Sequence, residues 1–165
     1  MSGMRFSFRS QRLPASVRTA LATEPGERVL THARSGEDGY VVATDQALFL
    51  PDGTRLPWHL VDKASWDEEG LTIVPTRGAS HRVPAAEPGR LPEVVRERVM
   101  HSIVVSKYVT LEERGGGVRI VARRRPGTSE LLWEFAFDPG MDPDDPGLRA
   151  LAEQALEGMR RTMGV

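Results

Sequence analysis

Four arginines gather late in the chain, at Arg119, Arg123, Arg124 and Arg125. They are the densest set of side chains in it that can meet an anion. Strand alternation would put Arg119, Arg123 and Arg125 on one face, with Ile120 and Ala122 opposite. Such a face suits nucleic-acid phosphates or an acidic partner. A charged strand also discourages edge-to-edge aggregation, and that is the favoured reading. No aromatic series interleaves with the arginines, so a single-strand stacking surface is not expected. Trp58, Trp66 and Trp133 lie in strand-like runs, where large aromatics are usually core. An outward-facing Trp58 would instead anchor a protein interface. The possible binding surface is therefore Arg119, Arg123, Arg124, Arg125 and Trp58.

Other chemistry finds little support. His32, His59, His81 and His101 share no helix and no metal-ligand spacing. There is no cysteine, which removes disulfides, thiolate catalysis and cysteine-based zinc sites. The serines lack a nucleophile-elbow pattern. Gly115, Gly116 and Gly117 lack the lysine and hydroxyl residue that close a phosphate-binding loop. No catalytic residue, cofactor-binding residue or metal ligand is assigned, and no cofactor is expected. A cleft gathering His59, Asp45 and Arg55 would favour the alternative of a small-molecule enzyme or ligand carrier with an unrecognised pocket.

These residues must be positioned by a chain of 165 residues with 39% hydrophobic and 27% charged side chains. That is ordinary composition for one globular domain. A net charge of −1 gives no overall field toward nucleic acid or an anionic membrane. Lys63 and Lys107 are the only lysines among many arginines, a skew that codon usage explains. No apolar run reaches the length of a signal peptide core or of the roughly 20 residues that span a bilayer. The expected location is cytoplasmic.

Met1 to Arg12, with Phe6 and Phe8 alternating weakly, reads as a loose arm. Pro14 to Ala22 reads as a short helix. Strands are expected at Arg28 to Ala33, Tyr40 to Thr44, Ala47 to Leu50, Arg55 to Trp66, Leu71 to Val74 and His81 to Val83. A change of phase near Leu60 marks a bend or bulge. Turns fall at Ser35 to Gly39, Pro51 to Thr54 and Asp67 to Gly70. Leu91, Val94, Val95 and Val99 recur at helical spacing, which predicts a helix from Leu91 to Ser102. Three strands follow, at Ile103 to Glu112, Val118 to Arg124 and Leu131 to Phe137, as an antiparallel meander. Asp145 and Pro146 open a last helix whose apolar stripe runs from Leu148 through Met159 to Met163. That stripe is expected to cover its own sheet.

Gly26 to Val74 resembles the small bacterial domains of pleckstrin-homology (PH-like) fold. The resemblance rests on Gly26-Glu27-Arg28-Val29-Leu30, Gly39 to Thr44, Ala47 to Leu50, and Leu56-Pro57-Trp58 leading to Leu60, Val61 and Trp66. It implies a bent antiparallel barrel, with the helix at Leu91 to Ser102 closing one end. In that family a basic residue often follows the threonine of the second strand, whereas Asp45 follows Thr44 here. The expected organisation is an arm and short helix at 1–23, a PH-like region at 24–104 and a βββα region at 105–165, packed as one unit. The fold class is α+β. The resemblance implies a non-catalytic binding module, with another protein as the expected partner. Phosphoinositide and membrane binding are disfavoured because Arg34 shares its loop with Glu37 and Asp38. Nucleic-acid contact through the arginine strand remains a lesser alternative.

Overall fold

A computed structural model describes residues 12–164. The proposed arm, with Phe6 and Phe8, falls outside these residues except for its last position. The described chain is a mixed α+β structure with three helices and three antiparallel sheets, none of which closes into a barrel.

The first sheet has the order β1-β2-β3-β4, from Val29–Ser35, Gly39–Thr44, Ala47–Phe49 and Arg55–Pro57. The run Val41-Val42-Ala43-Thr44 is wholly buried because both faces of β2 are covered. Val41 and Ala43 enter the main core. Val42 joins Ala47, Phe49 and Leu13 on the opposite face. There α1 (Ala15–Ala20) lays Val17 against the sheet, and Leu21 follows just beyond it.

Where the sequence changes phase near Leu60, the chain leaves one sheet for the next. Pro57 ends β4, Trp58–Leu60 forms a 3-10 turn, and β5 (Val61–Asp67) starts the second sheet with β6 (Gly70–Pro75) and β7 (His81–Pro84). A register irregularity between Val61 and Lys63 adds to the bend. Gly70 is required at its turn. Its φ is +148°, and a Cβ there would collide with the Val83 carbonyl oxygen.

The two sheets share one core with α2 (Leu91–Ser102). Leu91, Val94, Val95 and Val99 meet Leu48 and Trp58 of the first half and Val61, Leu71 and Ile73 of the second sheet. The 3.6-residue period is the cause, since it brings all four helix residues onto one face. Met100 lies on the other side, 66% exposed.

The helix runs straight into β8 (Ile103–Leu111), which pairs with β9 (Gly116–Arg124), and β9 pairs with β10 (Leu131–Phe137). The last helix, α3 (Pro146–Met163), covers one face of this third sheet, with Leu148, Ala152 and Met159 against Val118 and Ile120. Asp145 caps it by accepting from the backbone N–H groups of Gly147 at 2.9 Å and Leu148 at 3.2 Å. These bonds hold the Asp145 carboxyl below its usual range.

The shared core makes a stability prediction. Leu91→Ala removes a fully buried side chain and should cost about 2–4 kcal/mol in urea unfolding. Met100→Ala on the same helix should stay within about 0.5 kcal/mol of wild type. Equal losses would show that α2 does not plug the two sheets.

Candidate functional site

β1 and β8 are edge strands, each hydrogen-bonded to one neighbour. Between the start of β1 and the end of α2 lies an open groove of about 500 Å³. Leu30 lines it from β1, Arg98, His101 and Ser102 from α2, and Ile103 and Val104 from the first turn of β8. The turn between β9 and β10 supplies a further wall with Arg124, Pro126 and Gly127. Leu30, Ile103 and Val104 are 36–40% exposed, so the groove offers apolar surface to solvent. This surface exists because α2 passes into β8 without a loop, and the first residues of that strand precede any cover from α3.

The charge of the groove is one-sided. Arg28, Arg98 and Arg124 line it with Asp45 as the lone carboxylate. Asp45 is already engaged, accepting from the Arg28 backbone N–H at 2.9 Å and lying 3.8 Å from its guanidinium. Among the described residues, Arg98 and Arg124 form no ion pair. Arg98 Nε is buried without a hydrogen-bond partner.

A smaller cleft of about 220 Å³ adjoins the groove and shares Gln46 and Pro126 with it. Arg55 and His59 line this cleft, while Asp45 faces the groove. The His59–Asp45–Arg55 cluster expected of a small-molecule site is therefore split between two depressions. Arg55 is committed to structure. Its Nη2 donates to both oxygens of Glu27, at 3.2 and 3.4 Å, and the fully buried Glu27 side chain also accepts from Thr44 Oγ1 at 2.6 Å. The His59 imidazole is held below its ordinary value of 6.5 by burial first and by Arg125 next. Glu130 opposes this, and Arg123 and Arg55 reinforce it. Among the described residues no group of three or more metal-ligating side chains occurs. No helix among them is long and apolar enough to cross a membrane.

The structure disperses the expected arginine surface. Arg119 is exposed, donates to Ser106 Oγ at 3.1 Å and stacks over Tyr108. Arg123 shares that face by alternation but is only 3% exposed. It is clamped between Asp62 of β5, 3.1 Å from Nη2, and Glu134 of β10, 3.6 Å from Nε. The sheet face carrying it is covered there by the second sheet, so its charge is neutralised internally rather than offered outward. Arg125 lies 3.6 Å from Glu130 across the β9–β10 turn. Arg124, on the opposite face, is the member of the set that reaches the groove. Trp58 is 1% exposed, and its Nε1 donates to the Thr44 carbonyl at 2.9 Å. It belongs to the main core and underlies the groove instead of anchoring a partner. Near the end of β1, Arg34 donates to the backbone carbonyl of Glu37 in the β1–β2 loop at 2.7 Å.

Sequence reasoning missed Leu30, Arg98, Ile103 and Val104. Their one local signal was the apolar pair Ile103-Val104 immediately after the helix. Compared with known proteins, the chain matches no family model, no curated protein and no solved structure.

Two predictions follow from the charged seam and from His59. Arg123→Ala should destabilise the protein by about 1–3 kcal/mol, because it leaves the partly buried Glu134 without a counter-charge. Arg123→Met leaves Glu134 equally unpaired but fills the space, so it should lose less by the packing contribution alone. Equal unfolding midpoints for Arg123→Ala and wild type would refute the structural role of the seam. His59 is depressed in the folded state, so the unfolded chain takes up its proton first as pH falls. Its contribution to stability should be complete above pH 6.5 and should be lost as pH drops through the lower folded value. Urea titrations at a series of pH values should show a shallower acid loss in His59→Gln.

Proposed function

We propose that the protein is a non-catalytic binding module of PH-like architecture whose partner is another protein. The bent, helix-plugged barrel is the finer description that best suits two antiparallel sheets sharing one core with the helix that follows them. The observation that carries the functional reading is the groove itself. One wall carries Leu30 of the edge strand β1, the other is α2, and Leu30, Ile103 and Val104 leave apolar surface exposed to solvent. An open strand edge has unpaired N–H and C=O groups that an extended segment can meet. A neighbouring helix then supplies pockets for its side chains.

Proteins manage exposed edges with charge, bulges or short strands. β1 has a register irregularity between Val29 and Thr31, yet Leu30 within it remains exposed. An edge kept purely for solubility would place a charged side chain at that point. Leu30 opens onto the groove instead.

Display of random extended peptides against the immobilised protein tests the reading. Enriched peptides should shift backbone resonances of β1 and α2. Leu30→Glu should weaken them by about tenfold or more with an unchanged melting temperature, as expected of an interface anchor. Enrichment of no peptide, or of peptides indifferent to Leu30→Glu, would count against it.

A further inference from the structure

We infer that the groove between β1 and α2 selects an acidic extended protein segment carrying apolar anchors. The inference rests on the binding-module reading and adds the chemistry of the partner to it.

Charge complementarity carries the argument. The whole chain has a net charge of −1, so cationic surface is not its general condition. In this groove, however, three arginines stand against one carboxylate, and that carboxylate is held by Arg28. Arg98 and Arg124 come from elements far apart in sequence, α2 and β9, and converge on one depression without an acidic partner. The Arg98 guanidinium is also incompletely satisfied, since its Nε is buried and unbonded. A planar guanidinium presents paired donors that match a carboxylate in two-point geometry. Like-charged arginines around one groove repel each other until an anion arrives, so a basic segment is rejected as well as an acidic one attracted.

The apolar part fixes the remainder. Leu30, Ile103 and Val104 lie among the arginines and stay exposed. An anion alone, such as free phosphate, would leave them in water. An extended segment has side chains pointing alternately to two sides, so acidic and apolar residues placed close together can serve both demands.

Two other anionic partners fit less well. A bilayer needs apolar side chains that protrude from a convex surface, whereas these three line a concavity of about 500 Å³. Single-stranded nucleic acid needs a series of exposed aromatic rings for stacking, whereas Trp58 of this groove is 1% exposed and His101 alone offers an exposed ring.

The test uses the full chain and matched synthetic peptides in which leucine alternates with glutamate, serine or lysine. The glutamate peptide should bind most tightly and the lysine peptide should not bind. Arg98→Gln and Arg124→Gln should each weaken the glutamate peptide about fivefold, and the double variant about twentyfold, with melting temperatures unchanged. Binding should also fall about tenfold between low and physiological salt. If the serine and glutamate peptides bind equally in the groove, the acidic preference is wrong while the module reading stands. If no peptide shifts β1 or α2, both are wrong. Phosphatidylserine vesicles and a thymidine oligonucleotide complete the set, and tighter arginine-dependent binding to either would overturn the protein-segment assignment.

Discussion

The arrangement hangs on a buried guanidinium. Arg123 sits at the junction of the second and third sheets, with Asp62 on one side and Glu134 on the other. A charge removed from water is tolerated only where counter-charges and hydrogen bonds replace the lost hydration. Here Asp62 and Glu134 supply the counter-charge and Asp62 accepts a hydrogen bond, while Nε and Nη1 are buried without a hydrogen-bond partner, so the pairing ties β9 and β10 to β5 chiefly through charge. Burial raises the Glu134 carboxyl more than the Arg123 charge lowers it, with Asp62 adding to the rise. The guanidinium is therefore shared between an acid in the seam and an acid at its half-exposed rim. The β9–β10 turn lies just beyond this seam and reaches the groove beside β1 and α2. Its residues Arg124, Pro126 and Gly127 become the far wall of the groove.

A second polar knot sits at the base of the first sheet. Thr44 is fully buried, yet its hydroxyl serves Glu27, Ala47 and Gln46, and its carbonyl accepts from Trp58. Glu27 in turn holds Arg55. The network ties the start of β1 to the β2–β3 turn, to β4 and to the 3-10 turn, so the chain's exit from the first sheet is fixed in direction. Asp45 extends it by binding the Arg28 backbone. An acid at this place, where a basic residue was expected from the PH-like resemblance, is explained locally. It anchors the strand whose edge forms the groove, and it occupies Arg28 while leaving Arg98 and Arg124 free.

Much of the fold was legible because its signals are local. The stripe of α3 and its Asp145-Pro146 opening depend on residues within a few turns of each other, as do the face of α2 and the Pro51–Thr54 turn. The bend near Leu60 was visible as a broken alternation, although its cause, a 3-10 turn and a change of sheet, was not. The site was far less legible. Alternation placed Arg119 and Arg123 on the same side of β9, but it carried no information on what covers that side. The partner of Arg123 in the second sheet, Asp62, is 61 residues away. Trp58 presented the same difficulty, since its side depends on a hydrogen bond to Thr44 across the sheet. Local pattern reports which residues share a face, whereas burial of that face is decided by long-range packing.

This difference bears on the region after Ile103. In sequence it reads as a βββα region packed with the rest as one unit, and in the structure it has its own strands, helix and core. In space it completes what the first part leaves open. β1 and α2 alone would form a shallow step with one free arginine on the helix. The β9–β10 turn adds Arg124 and the far wall, and the first residues of β8 add the apolar floor. The groove therefore belongs to neither region alone, and the Arg123–Asp62 pair is a link between the two regions outside it. A groove composed from two regions depends on how they are held together, and the Arg123–Asp62 pair is one of the contacts that holds the third sheet to the second.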